Sequence, residues 1–182
     1  MKQASGSHEA EPRFTEARLQ REAADAALTP GRPPRLDVVF QSYDPPLYFL
    51  TICSYRRRRL FDNAAFHEAF RQFVQRGYTE KGVGVGRYVL MPDHLHLFVR
   101  GGSGFVLSQW GRIFKQVLGK VLTDSGHQGV FWQRGFFDHL IRNSESYAQK
   151  WSYVLENPVR AGLVSHAEDW PWQGEIVVID RP

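Results

Sequence analysis

The chain has 182 residues, 42% of them hydrophobic, enough to bury one core but too short for several large domains. Its 23 Lys+Arg against 19 Asp+Glu give a net charge of +4, and because residues 1–34 are balanced, the excess falls in residues 35–182, a polarity that attracts polyanions such as nucleic acid. Cys53 is the single cysteine, which excludes an intrachain disulfide, and no apolar run resembles a secretory signal or a membrane span, so the expected location is cytoplasmic, with no membrane partner.

Residues 1–34, rich in Ala, Glu, Arg, Ser and Pro, read as a flexible tail with a transient helix across Phe14 to Leu28. The Pro30-Gly31-Arg32-Pro33-Pro34 stretch reads as a linker into a domain at 35–182. Tyr48 to Ser54, short, aromatic and β-branched, predicts a strand. Asn63 to Arg76 places Phe66, Phe70, Phe73 and Val74 at helical spacing, with Asp62 or Asn63 as the start and Gly77 as the end. Residues 84–91 and 94–100 predict two strands meeting at Met91-Pro92-Asp93. Leu107 to Leu122 has helical period through Trp110, Phe114, Val117 and Val121. Val130 to Trp132 and Phe136 to Ile141 read as extended. Glu145 to Asn157 predicts a helix entered at Asn143 or Ser144 and ended or kinked by Pro158. The order β-α-β-β-α-β-α predicts an α+β fold, one antiparallel-dominated sheet with helices packed on it.

The first chemistry-bearing segment is His94-Leu95-His96-Leu97-Phe98-Val99-Arg100. Strand alternation puts Leu95, Leu97 and Val99 on one face, against helices, and His94, His96, Phe98 and Arg100 on the other, expected to be open. Two neutral imidazoles at that spacing can converge on a divalent ion. Alternating histidines also serve as surface or hydrogen-bonded residues, and both roles fit the pattern.

The second is Trp151-Ser152-Tyr153-Val154-Leu155-Glu156-Asn157-Pro158. On a continuous helix Tyr153 and Asn157 share a face. A tyrosine can attack a phosphorus atom and hold the strand as a phosphotyrosine, preserving the bond for rejoining. A divalent ion on His94 and His96 would stabilise the charge that develops, with Asn157 completing its shell. Helical tyrosines commonly just pack, and Tyr147 lies on the same predicted helix.

Together these segments resemble the single-tyrosine HUH transposases, IS200-like, and within them the REP-associated tyrosine transposases of bacteria. The matching stretches are Tyr88-Val-Leu-Met-Pro-Asp-His-Leu-His-Leu97 and Tyr153-Val-Leu-Glu-Asn-Pro-Val-Arg-Ala-Gly-Leu-Val164. Phe131 to Arg142 and Tyr48 to Arg57 are similar to the family's intervening segment and first strand, so the resemblance spans roughly residues 45–172. It implies a ferredoxin/RRM-like HUH fold, His94 and His96 as metal ligands for Mg²⁺ or Mn²⁺, and Tyr153 as nucleophile. Asn157 stands where many insertion-sequence relatives carry a ligating Gln. The implied substrate is single-stranded DNA at hairpin-forming palindromes, nicked to a 5′-phosphotyrosine and a free 3′-hydroxyl. A bacterial, nucleoid-associated protein is implied; its oligomeric state, monomer or homodimer, and whether Tyr153 acts within its own chain stay open.

For holding DNA the candidates are the basic run Arg56, Arg57, Arg58 and Arg59, with Arg100, Arg134 and Arg142, and Trp132 as a stacking platform. Arg112 and Lys115 would extend that surface. Core packing is the competing reading for Trp132, Phe136 and Phe137, and backbone bonding for Asp138 and His139. The rival functions are a non-catalytic DNA- or RNA-binding module of the same fold and a metal-dependent hydrolase using His94, His96 and Asp93 without covalent capture. Strand alternation would turn Asp93 away from the histidines.

Overall fold

The structure, a computed structural model, describes residues 46–179, so the expected tail, its helix and the linker lie outside the described residues. β1, Leu47–Cys53, alternates Leu50 and Ile52 on one face with Phe49, Thr51 and Cys53 on the other, and both faces are covered. α1, Ala64–Lys81, starts where the Asn63 side chain accepts from the Phe66 N–H at 2.9 Å, and it buries Phe66, Phe70 and Val74. The helix runs through Gly77, the expected stop. It ends instead at Gly82, whose φ of 64° and N–H bond to Tyr78 make the left-handed cap.

β2, Gly84–Leu90, and β3, His94–Arg100, form the expected hairpin, with Met91 N–H bonded to the His94 carbonyl at 2.8 Å. α2, Leu107–Asp124, buries Leu107, Trp110, Phe114, Leu118 and Leu122 at three- and four-residue spacing. Of the expected extended stretch at 130–132, only a single bridge from Trp132 to Ser54 forms. β4, Phe137–Ile141, and α3, Ser144–Leu155, follow, with the Asn143 side chain capping α3 through the Ser146 N–H at 2.8 Å.

α3 stops two residues short of the expected Asn157. Pro158 has no N–H to offer the Val154 carbonyl, and the Glu156 N–H bonds there instead. Asn157 then opens a separate turn, α4, Asn157–Arg160, with the proline in its first turn. A short β5, Gln173–Glu175, was not expected; it is fastened by the Trp172 carbonyl accepting from Leu90 N–H and by Trp170 Nε1 donating to the Leu90 carbonyl.

The strands form one antiparallel sheet in the order β4-β1-β3-β2-β5, with the histidine strand at its centre. On one face Leu50, Ile52, Leu95, Leu97 and Val99 pack against the apolar sides of α1 and α2. On the other, Phe49, Val89 and Phe98 pack with Ile141, Tyr147 and Val154, the last two from α3. The face carrying the histidines is therefore roofed by the tyrosine helix of the same chain rather than open. Phe98 is the reason: an apolar ring between His96 and Arg100 needs cover, and Tyr147 and Trp151 provide it at centroid distances of 4.5 and 6.4 Å.

Candidate active site

The site begins with a cross-strand pair. β1 and β3 align Thr51 opposite His96 and Cys53 opposite His94. This register brings Thr51 Oγ1 to 3.0 Å from His96 Nδ1, while Phe49 stacks on the imidazole at 5.4 Å. His96 is only 4% exposed. Burial, followed by the nearby charges of His94, Arg57 and Arg160, holds its pKa well below the ordinary histidine value, so it is neutral at neutral pH.

His94 sits at right angles to His96, ring centroids 4.8 Å apart. Its Nδ1 is 2.7 Å from Asp93 Oδ1, and Asp93 Oδ2 in turn pairs with Arg57 Nε at 2.7 Å. Asp93 does not turn away from the histidines, contrary to the alternation argument, because it lies in the turn ahead of the strand where that period does not yet apply. Desolvation raises its pKa, but the bond to His94 and the charges of His94 and Arg57 outweigh this and lower it, keeping a carboxylate beside the imidazole. Both histidines are thus gripped at Nδ1, which leaves Nε2 as the nitrogen able to bind an ion.

Among the described residues no group of three or more His, Cys, Asp or Glu side chains could hold a metal ion. The protein therefore offers two oriented imidazoles, and a divalent ion would draw its remaining ligands from an amide, water or substrate oxygen. That set fits a Mg²⁺ or Mn²⁺ ion that keeps open positions for a phosphate.

Tyr153, on the last turns of α3, is half-buried beside the cluster that contains Phe49 and Phe98. Asn157 is 6% exposed. The two no longer share one helix, yet a residue to which the sequence reading gave no role joins them. Arg160 Nη2 donates to the Tyr153 carbonyl at 2.6 Å and to Asn157 Oδ1, and its guanidinium lies 4.1 Å over the Tyr153 ring. Its signal was the break at Pro158, which folds residue 160 back onto residue 153.

The four consecutive arginines do four different things. Arg57 holds Asp93; Arg58 donates to the carbonyls of Gln128 and Val130 at 3.0 and 3.1 Å; Arg59 pairs with Asp62 at 2.6 Å. Arg56 is exposed over the Tyr55 ring. Arg56 and Arg57 both adopt left-handed backbone, φ 54° and 56°, a conformation costing about 1–2 kcal/mol per residue. The turn is tied down by Tyr55 N–H to the Phe131 carbonyl and Ser54 N–H to the Asp93 carbonyl, at 2.7 and 2.9 Å.

Strand register sorts the other basic candidates. Phe137 pairs with Thr51, so exposed Arg134 lies at the end of the sheet that carries His94 and the arginine turn. Arg100 pairs with Leu47, and Ile141 does so from the other side, which puts Arg100 and exposed Arg142 at the far end, roughly 20 Å away along the strand. Trp132 is not an open platform: its indole stacks on Phe61 at 5.0 Å and packs on Phe66 and Phe114. Phe136 is equally a core ring, lying so close to Gly111 that an added Cβ would meet it at 2.4 Å.

With this geometry in hand, the comparisons with known proteins are decisive for the family. The model of the family described as transposase IS200-like matches residues 46–157, more than half of the chain. The chain belongs to the IS200-like transposase family. It is similar to the REP-associated tyrosine transposase of Escherichia coli (strain K12), 27% identical over 127 residues that cover 69% of this chain and 73% of that protein. Its fold is shared by the solved structure of a REP-associated tyrosine transposase bound to a REP hairpin, with a TM-score of 0.57 at 23% identity over 75% of this chain and 81% of the other. The matched span of this IS200-like transposase includes His94, His96, Tyr153 and Asn157, and ends three residues before Arg160. No helix among the described residues is long and apolar enough to cross a membrane.

Proposed function

We propose that this chain nicks and rejoins single-stranded DNA at hairpin-forming palindromic repeats, through a 5′-phosphotyrosine on Tyr153 and with Mg²⁺ or Mn²⁺ at His94 and His96. The observation that carries this reading is the pairing of a buried His96 with a partly buried His94, each fixed at Nδ1 by its own partner, with a tyrosine helix of the same chain roofing their face of the sheet. Membership of a transposase family, and likeness to a relative whose structure holds a REP hairpin, support the substrate class.

In the reaction the Tyr153 phenol gives up its proton and its oxygen bonds the phosphorus. The bond from phosphorus to O3′ breaks, and the departing O3′ takes a proton to become a free hydroxyl. The ion would neutralise charge on the phosphate oxygens. Asp93 and Thr51 hold the imidazoles in register, so no reorientation is needed when the substrate arrives. Asn157, four residues after Tyr153, would add an oxygen ligand once released from Arg160.

The hydrolase alternative is weakened by Asp93. Its two oxygens are committed to His94 and Arg57, so this carboxylate is not poised to activate water. The RNA-module alternative requires aromatic rings on an open sheet face, whereas Phe49 and Phe98 are buried under α3. The test is a denaturing gel of the protein with a labelled hairpin oligonucleotide, with Mn²⁺ or with EDTA. A metal-dependent covalent band that vanishes in Tyr153→Phe, with hairpin binding nearly intact, is expected; cleavage without any band would sink the tyrosine mechanism.

A further inference from the structure

We propose that Arg160 is a catalytic residue that binds the phosphate under attack, an assignment that rests on the tyrosine reading above. Arg160 ends α4, seven residues beyond Tyr153 and three beyond Asn157, and the break at Glu156 brings its guanidinium back over the phenol ring. It also lies near enough to His96 for its charge to bear on that imidazole. One cation thus contacts both the nucleophile and the third candidate ligand, and its charge reaches His96.

A simpler role for such an arginine is to cap a helix. The Tyr153 carbonyl belongs to the last turn of α3, where the ladder leaves acceptors unsatisfied, and Arg160 Nη2 fills it at 2.6 Å. Capping, however, uses one nitrogen. Every hydrogen bond of this guanidinium to described residues runs through Nη2, so Nε and Nη1 have no partner among them, while the side chain as a whole is exposed. An exposed arginine anchored beside a phenol can swing toward a phosphate and take a two-pronged grip on it, and since both parallel N–H pairs of a guanidinium include Nη2, that grip takes Nη2 away from Asn157 Oδ1. The grip would draw the phosphorus toward the Tyr153 oxygen and offset charge gathering on the non-bridging oxygens as the new bond forms and the bond to O3′ breaks. Its hold on Asn157 Oδ1 adds a consequence: the amide is free to reach an ion only when the guanidinium has turned toward a phosphate, so substrate entry and completion of the site are coupled.

The test uses the full chain and a labelled single-stranded oligonucleotide carrying the palindromic repeat that neighbours its gene. Wild-type protein with Mn²⁺ maps the phosphate that becomes joined. Arg160→Ala is expected to slow adduct formation at saturating DNA by about 10²–10³-fold, as removal of a transition-state donor does. Arg160→Lys, which keeps the charge and can cap but lacks the fork, should fall between. A binding measurement in EDTA then separates phosphate contact from packing. Wild type should bind the oligonucleotide several-fold more weakly when the mapped phosphate is a neutral methylphosphonate, and Arg160→Ala should bind the two oligonucleotides equally. If the variants discriminate between the two as wild type does, or form adduct at the wild-type rate, Arg160 is a cap and the assignment is wrong. No adduct with wild type would overturn the tyrosine reading itself, and this assignment with it.

Discussion

Asp93 shows how much of the site depends on single side chains that act by holding their neighbours. Its carboxylate fixes the His94 ring and is itself fixed by Arg57. Asp93→Asn should slow adduct formation by about 10–100-fold, the usual effect of losing a ligand's outer partner, and a gel time course would read it. His96 makes a different statement, about stability. Its folded pKa lies well below the unfolded value of about 6.5. Below that unfolded value the unfolded chain takes up a proton that the folded chain refuses, so stability present above pH 6.5 drains away as pH falls toward the folded pKa. The melting temperature should decline from about pH 6.5 downward, and His96→Asn should flatten part of the decline. Equal slopes in the two proteins would contradict the burial account. The histidines and Tyr153 were readable from the sequence because their chemistry sits in side chains at short spacing. Arg160 and the Asp93 contact were not, since both depend on how a turn folds back.

At the scale of elements, glycines decide what the aromatic residues do. In the sequence Phe136 and Trp132 read either as platforms for bases, next to basic residues, or as core rings. Their true partner is α2, where Gly111 receives Phe136 and Gly119 lies against Trp132, with a would-be Cβ 3.2 Å from Nε1. These notches lie 25 and 13 residues from the rings they admit, and periodicity does not reveal them. Gly111→Ala forces a methyl into the Phe136 ring at 2.4 Å and should cost about 1–3 kcal/mol of stability, measured by denaturant unfolding. The end of α1 teaches the same lesson locally: Gly77 has room for a side chain and stays helical, while Gly82 needs its left-handed φ of 64° to stop the helix. β5 escaped notice because Gln173-Gly174-Glu175 has little strand character and exists only by pairing with β2.

For the whole molecule, the sheet sorts charge by end. Arg56, Arg57 and Arg134 lie at the end where β3 begins with His94, and Arg100 and Arg142 at the other. DNA held at the histidine end should release counterions through the first set. Arg56→Ala should lower the slope of log affinity against log salt by about 0.7–0.9, whereas Arg58→Ala, which loses bonds to the Gln128 and Val130 carbonyls, should lower melting temperature and leave the slope unchanged. The α+β architecture was legible from the order of periodic segments. That both faces of its sheet are covered was not, because the cover over the histidines comes from α3, whose apolar side meets Phe98 only in three dimensions.

The central claim is that Tyr153, and not its helix neighbour Tyr147, becomes joined to DNA. Both hydroxyls are covered in this structure, but Tyr147 as a whole is buried against Phe98 at 1% exposure, whereas the Tyr153 ring is half-buried at the end of the same helix under Arg160. The most direct measurement is digestion of the Mn²⁺-dependent adduct and tandem mass spectrometry of the peptide that carries nucleotide. Nucleotide mass on Tyr153 is the predicted result; nucleotide on any other residue would contradict the account.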